Sequence, residues 1–101
     1  MKIVVFEAEA REQSAFKPLA ATHEVVFVAA PLKSDNADVY ADADIVSTFI
    51  YSDLNRVVLE KLRGLRLIAT RSTGYDHIEL EYCETKRIAV ANVPTYGENT
   101  V

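Results

Sequence analysis

The chain has a single cysteine, Cys83, and no tryptophan. One thiol excludes an internal disulfide and any metal cluster built from cysteines. Cys83 lies in Leu80-Glu81-Tyr82-Cys83, at helical spacing from Leu80, where a thiol serves as a small buried apolar group. Glycine and proline are also sparse, three of each among 101 residues, so neither a collagen-like nor a low-complexity chain is in question. Long apolar runs are missing: Ile3 to Phe6 and Val25 to Ala30 fall far short of the roughly 20 residues of a membrane span. Positive charge is scarce as well. Eleven Lys and Arg against fifteen Asp and Glu give a net charge of -4, and the basic residues are scattered, which argues against a nucleic-acid partner. Only Lys2 precedes the first apolar stretch, which soon meets Glu7 and Glu9, so the N-terminus reads as a first strand and not a signal peptide. A cytoplasmic protein with no membrane association is expected.

What the chain does have is a hydrophobic half, enough for one globular domain with a single core. Lys2 to Phe6, Glu24 to Val28, Asp44 to Phe49, Arg66 to Thr70 and Ile88 to Ala91 are short runs rich in Ile, Val and Leu, and read as five strands. Several are continuously apolar, as befits a parallel sheet covered on both faces. Helices are expected between them. Ala8 to Ala21 carries Ala15, Phe16, Leu19 and Ala20 on one stripe, with Pro18 as a kink or first-turn residue. Leu54, Val57, Val58 and Leu62 recur at helical spacing behind a cap at Ser52 or Asp53, with Gly64 just past the end. Leu80 to Arg87 gives a third helix, and Ser34 to Ala43 one loose turn. Alternating strand and helix implies an α/β fold, a flavodoxin-like three-layer sandwich with a five-stranded parallel sheet. Ligands of such sheets bind at the carboxyl ends of the strands, here the loops at Glu7 to Ala10, Phe49 to Asp53, Arg71 to His77 and Asn92 to Asn99.

The most informative loop follows the fourth strand, in Thr70-Arg71-Ser72-Thr73-Gly74-Tyr75-Asp76-His77. Gly74 allows a sharp turn and close approach of a ligand to the backbone, and successive N–H groups in such a turn can converge on an anion such as a carboxylate. Asp76 is expected to accept N–H bonds within the turn, Arg71 to be a solvated or ion-paired surface group, and His23 to be a loop residue.

Arg71-Ser72-Thr73-Gly74-Tyr75-Asp76-His77-Ile78, followed by Ile88-Ala89-Val90-Ala91-Asn92-Val93-Pro94-Thr95-Tyr96-Gly97-Glu98-Asn99, closely resembles the D-isomer-specific 2-hydroxyacid dehydrogenase family. Met1 to Phe6 and Ile45 to Tyr51 agree with it too. The resemblance implies that the backbone at Thr73 and Gly74 holds a substrate carboxylate, that Tyr75 stands beside it, and that Phe49, Tyr51 and Tyr96 line the same pocket. Gly97, where other branches carry an Asn, points to the lactate-like branch, whose members reduce a small, pyruvate-like 2-keto acid to the D-2-hydroxy acid. The implied partner is thus a small 2-keto or 2-hydroxy acid.

The family's activity further requires a Gly-x-Gly-x-x-Gly dinucleotide fold, a substrate-clamping Arg and an acid-base His with its carboxylate. Gly64, Gly74 and Gly97 stand far apart and make no such motif. The expectation is therefore that residues 1–101 form the N-terminal part of the substrate-binding (catalytic) domain, truncated before the Rossmann nucleotide-binding domain, with residues 99–101 starting the helix that leads to it. NAD would serve the full-length parent; this chain alone would bind no cofactor, carry no catalytic residue and turn over no substrate. Self-association, or docking to the missing remainder of the enzyme, is expected through surface left bare. The alternative is a stand-alone small-acid-binding or regulatory module of the same fold. A phosphoacceptor receiver domain is disfavoured, because the third strand ends in Thr48-Phe49 with no acceptor Asp.

Overall fold

The computed structural model describes residues 1–93. The apolar runs form strands β1 (Lys2–Phe6), β2 (Glu24–Val28), β3 (Ile45–Thr48), β4 (Leu67–Thr70) and β5 (Ala89–Ala91). The first two match the sequence expectation residue for residue, and the others are one residue shorter at one or both ends. All pairings are parallel, in the order β2-β1-β3-β4-β5, the flavodoxin-like order the alternation implied.

Side chains alternate between the two faces of a strand, and here the faces have different fates. Val4, Phe6, Val46 and Ile68 join Leu54, Val58, Leu59, Leu62, Ile78 and Cys83 in one buried core. Helix α2 (Arg56–Lys61), helix α3 (Leu80–Thr85) and the 3₁₀ turn Ala37–Tyr40 supply its cover. Full burial of each large aliphatic side chain stabilises the fold by about 1.5–3 kcal/mol, so this face dominates the stability. On the opposite face, helix α1 (Ala10–Phe16) reaches the β2 side, where the rings of Phe16 and Phe27 meet edge to face at 6.4 Å. Towards the other edge the same face is thinly covered: Ile45, Leu67 and Ala69 are half-buried, and Ala89 and Ala91 are exposed.

The helices depart from expectation in ways with local causes. The single helix expected over Ala8 to Ala21 is α1, opened by the Glu9 and Glu12 capping box, followed by a separate 3₁₀ helix over Lys17–Ala21 with Pro18 in its first turn. Pro18 has no N–H to continue an α-helical ladder. Of the expected apolar stripe only Phe16 packs, while Ala15, Leu19 and Ala20 are exposed. Neither Ser52 nor Asp53 caps α2. Asn55 does, its side chain accepting the N–H of Val58 at 3.1 Å. Starting the helix there turns Val57 outward, 55% exposed, while Val58 and Leu59 are buried. Leu54 stays in the core as an isolated parallel bridge to Ile78. Helix α3 ends at Thr85, two residues before the expected Arg87. Cys83 is buried, as expected, and burial pushes its thiol pKa up. The expected helix start at residues 99–101 lies outside the described residues.

Candidate functional site

The carboxyl ends of β1, β3 and β4 are tied together by two charged side chains. Glu7 follows β1 with φ of 56°, a left-handed conformation unusual for a residue with a Cβ. That backbone turn aims its carboxylate at the loop after β3. There it accepts the N–H of Phe49 at 2.8 Å, the N–H of Tyr51 at 3.1 Å and the hydroxyl of Ser52 at 2.7 Å. Ser52, fully buried, in turn accepts the N–H of Leu32 at 2.9 Å. One carboxylate thus fixes the loop carrying Phe49 and Tyr51 and anchors it to the chain after β2.

Arg71, at the end of β4, reaches the other way. Its guanidinium donates to the carbonyls of Phe6 at 2.7 Å and Glu7 at 3.0 Å, and to Ser47 Oγ at 2.9 Å. Its own N–H bonds the carbonyl of Thr48 at 2.7 Å. The solvated or ion-paired surface Arg expected from the sequence is instead a half-buried clamp across three strands, with no salt bridge among the described residues. Burial lowers the pKa of its guanidinium, opposed by the nearby charges of Glu12, Glu7 and Glu9, and the group stays cationic.

The turn after Arg71 projects from the sheet: Ser72 is buried, and Thr73, Gly74, Tyr75 and Asp76 are exposed. Its carbonyls are occupied. Ser72 O accepts the N–H of Val93 at 3.0 Å, Thr73 O accepts the Asn92 side-chain amide at 2.7 Å, and Gly74 O accepts the Ser72 hydroxyl at 3.0 Å. By contrast, no acceptor among the described residues takes the N–H of Thr73 or Gly74. Gly74 has no positive φ, and a Cβ built on it would meet nothing within 4 Å. The sharp turn that glycine was expected to permit is therefore not the reason for glycine; what its missing Cβ leaves is open space in front of the backbone.

The rest of the loop is fastened from beneath. Thr70 Oγ1 lies 2.6 Å from Ser72 Oγ and 3.1 Å from His77 Nε2. Each hydroxyl has one proton. Ser72 gives its proton to Gly74 O, and Thr70 Oγ1 also lies 3.4 Å from the carbonyl of Thr48, so the three side chains share one hydrogen-bonded cluster under the loop. His77 therefore holds the loop down, and burial lowers its pKa from 6.5 against the raising pull of Glu7, Asp76 and Asp53. Asp76, expected to accept N–H bonds within the turn, accepts none among the described residues. His23 lies before β2 at 3.5 Å from the N-terminal amine.

Of the residues expected at the site, Thr73, Gly74 and Tyr75 stand on the β4 loop and Phe49 and Tyr51 on the neighbouring β3 loop. Phe49 and Tyr51 line a cleft of about 680 Å³ whose charged lining is Glu7, Glu9 and Lys33; the Thr73-Gly74 turn is not part of its wall. Tyr96 lies outside the described residues. Sequence reasoning missed Glu7 and Arg71 as the ties between these loops, because their side-chain partners are 24 to 65 residues away. The one signal available was position, an acid and an arginine each ending an apolar strand. No group of three or more His, Cys, Asp or Glu among the described residues could hold a metal ion, and no helix among them is long and apolar enough to cross a membrane.

Comparison with known proteins agrees with this geometry. The family described as D-isomer specific 2-hydroxyacid dehydrogenase, catalytic domain, matches residues 3–101. The 2-hydroxyacid dehydrogenase A of Aspergillus oryzae is 32% identical over 108 residues, covering 100% of this chain and 31% of that protein. A D-lactate dehydrogenase of Curvularia clavata is 33% identical over 109 residues, with 100% and 31% covered. Among solved structures, apo D-lactate dehydrogenase from Escherichia coli superposes with a TM-score of 0.85 at 25% identity, covering 95% of this chain and 32% of that one. D-lactate dehydrogenase from Aquifex aeolicus, complexed with NAD and lactic acid, gives 0.83 at 26% identity, covering 93% and 28%. The chain thus spans about a third of the length of the relatives it matches.

Proposed function

The chain belongs to the D-isomer specific 2-hydroxyacid dehydrogenase family, and from that premise we propose that it is the substrate-gripping part of an NAD-dependent D-2-hydroxyacid dehydrogenase acting on a small, pyruvate-like 2-keto acid. The N–H groups of Thr73 and Gly74 take the substrate carboxylate, Tyr75 borders it, and Phe49 and Tyr51 line the neighbouring cleft. The observation that carries this reading is the exposed turn after β4, whose two N–H groups have no acceptor among the described residues while the carbonyls beside them are occupied. Charged hydrogen bonds from preorganised N–H groups suit a carboxylate and ask no ionised side chain of the protein.

The residues of this chain do not fit a dinucleotide. Its glycines are far apart, and neither Gly64 nor Gly74 has the left-handed backbone of a phosphate-cradling turn. Hydride transfer from NADH belongs to a nucleotide-binding domain outside residues 1–101, and no step of it is assigned to this chain. In this reading residues 1–101 open the substrate-binding domain. The thinly covered strip of Ile45, Leu67, Ala69, Ala89 and Ala91 is the surface that meets the remainder of the enzyme or a second copy, and the protein works in the cytoplasm. The missing cradle also favours a second reading, a stand-alone acid-binding or regulatory module.

The test is pyruvate reduction. The polypeptide extended through its nucleotide-binding domain is expected to oxidise NADH steadily with pyruvate, and the 101-residue chain to do nothing. Turnover by the short chain, or none by the extended one with any small 2-keto acid, would overturn the proposal.

A further inference from the structure

We infer that Asn92 is a positioning residue for the substrate carboxylate: it aims the Gly74 N–H. This rests on the reading of the Thr73-Gly74 turn given above and adds to it the side chain that sets the turn's polarity.

The argument starts from the peptide plane. A trans peptide holds its C=O and the following N–H in one plane, pointing in opposite directions, and no described peptide is cis. Fixing a carbonyl therefore fixes the next N–H. Ser72 O is held by the N–H of Val93 and Thr73 O by the Asn92 side chain, so both carbonyls face the segment that leaves β5. The N–H groups of Thr73 and Gly74 must then both face away from it, side by side. Two successive N–H groups turned the same way form an anion-binding concavity.

The two holding bonds differ in kind. Val93 acts through its backbone, which any residue but proline supplies. Asn92 acts through its side chain, at 2.7 Å, the shorter of the two. Thr73 and Gly74 are exposed and Gly74 has open space around it, so packing does not hold that peptide plane. Without the Asn92 amide the Thr73-Gly74 peptide is free to rotate and present its carbonyl, which repels a carboxylate. Asn92 touches no substrate; it acts through the Gly74 N–H.

The experiment compares pyruvate with pyruvamide, its uncharged amide, in the complete dehydrogenase carrying Asn92→Ala or Asn92→Asp, the second keeping the size of the side chain while losing the donor. The expected result is a fall of about tenfold or more in the ratio of kcat/KM for the acid to that for the amide. KM for NADH and the thermal midpoint should stay unchanged, which a merely structural role would not predict. If both variants keep the acid-to-amide ratio, Asn92 does not set the grip. If the unsubstituted enzyme itself fails to prefer the acid, the turn is not the carboxylate site and the functional reading fails with it, an outcome distinct from the first.

Discussion

Removing the Glu7 carboxylate should unfasten the β3 loop at a cost that can be divided into parts. Glu7→Ala deletes three hydrogen bonds. Two of the donors, the N–H groups of Phe49 and Tyr51, belong to exposed residues, where water replaces the carboxylate and little is lost. The third donor is the hydroxyl of Ser52, fully buried, and a buried donor without an acceptor costs about 1–3 kcal/mol. Glu7→Ala keeps a Cβ at φ of 56°, and so keeps a backbone strain of about 1–2 kcal/mol. Glu7→Gly relieves that strain while losing the same bonds. Alanine should therefore destabilise by about 2 kcal/mol, roughly 10 °C in thermal midpoint for a domain of this size, and glycine by about 1 kcal/mol less than alanine. Urea unfolding followed by tyrosine fluorescence measures both. An alanine variant within about 0.5 kcal/mol of the parent, or a glycine variant less stable than alanine, would refute the reasoning.

Gly74→Ala should leave stability unchanged or raise it by about 0.4–1 kcal/mol, since the position has neither positive φ nor a nearby atom; the same change should raise KM for the 2-keto acid, and thermal melting beside kinetics in the complete enzyme reads both. Arg71→Ala should cost about 2–3 kcal/mol after allowing for its half-exposure, because the carbonyls of Phe6 and Glu7 and the Ser47 hydroxyl lose a common donor; a loss below 1 kcal/mol in urea unfolding would show the clamp to be idle. For His77 the folded pKa lies below the unfolded 6.5, so the unfolded chain binds more protons as acidity rises; the His77 contribution is complete above 6.5 and is lost as pH falls below it. His77→Gln should therefore flatten the decline in stability between about pH 7 and about pH 5, and an unaltered slope would refute the shift.

How much of this could be seen in the sequence depended on the range of the interaction involved. The strands were legible because Ile3 to Phe6 or Val25 to Val28 are apolar enough to demand burial wherever they fall. The helix starts were less so: Ser52, Asp53 and Asn55 are all competent caps, and the choice was made by Glu7, which draws Ser52 into the core side of the loop. Val57 was misplaced by the same shift. The Thr73-Gly74 turn was legible as a loop at the carboxyl end of β4, yet the sequence misread the reason for its glycine, because φ and open space are properties of the folded chain. Arg71 looked like a solvated or ion-paired surface group because it ends a strand; its partners are two main-chain carbonyls and the Ser47 hydroxyl, which a sequence does not advertise.

The strand order has a consequence for how the chain is made. β1 is made before β2 and β3, yet it lies between them and pairs with both. Its outer partner arrives at Glu24 and its inner one at Ile45, so Lys2–Phe6 must stay unpaired on at least one edge until Ile45–Thr48 has emerged. During that interval a bare apolar β-edge is open to any passing strand, and the nascent chain depends on the pace of synthesis, or on a chaperone, to keep that edge for Ile45–Thr48.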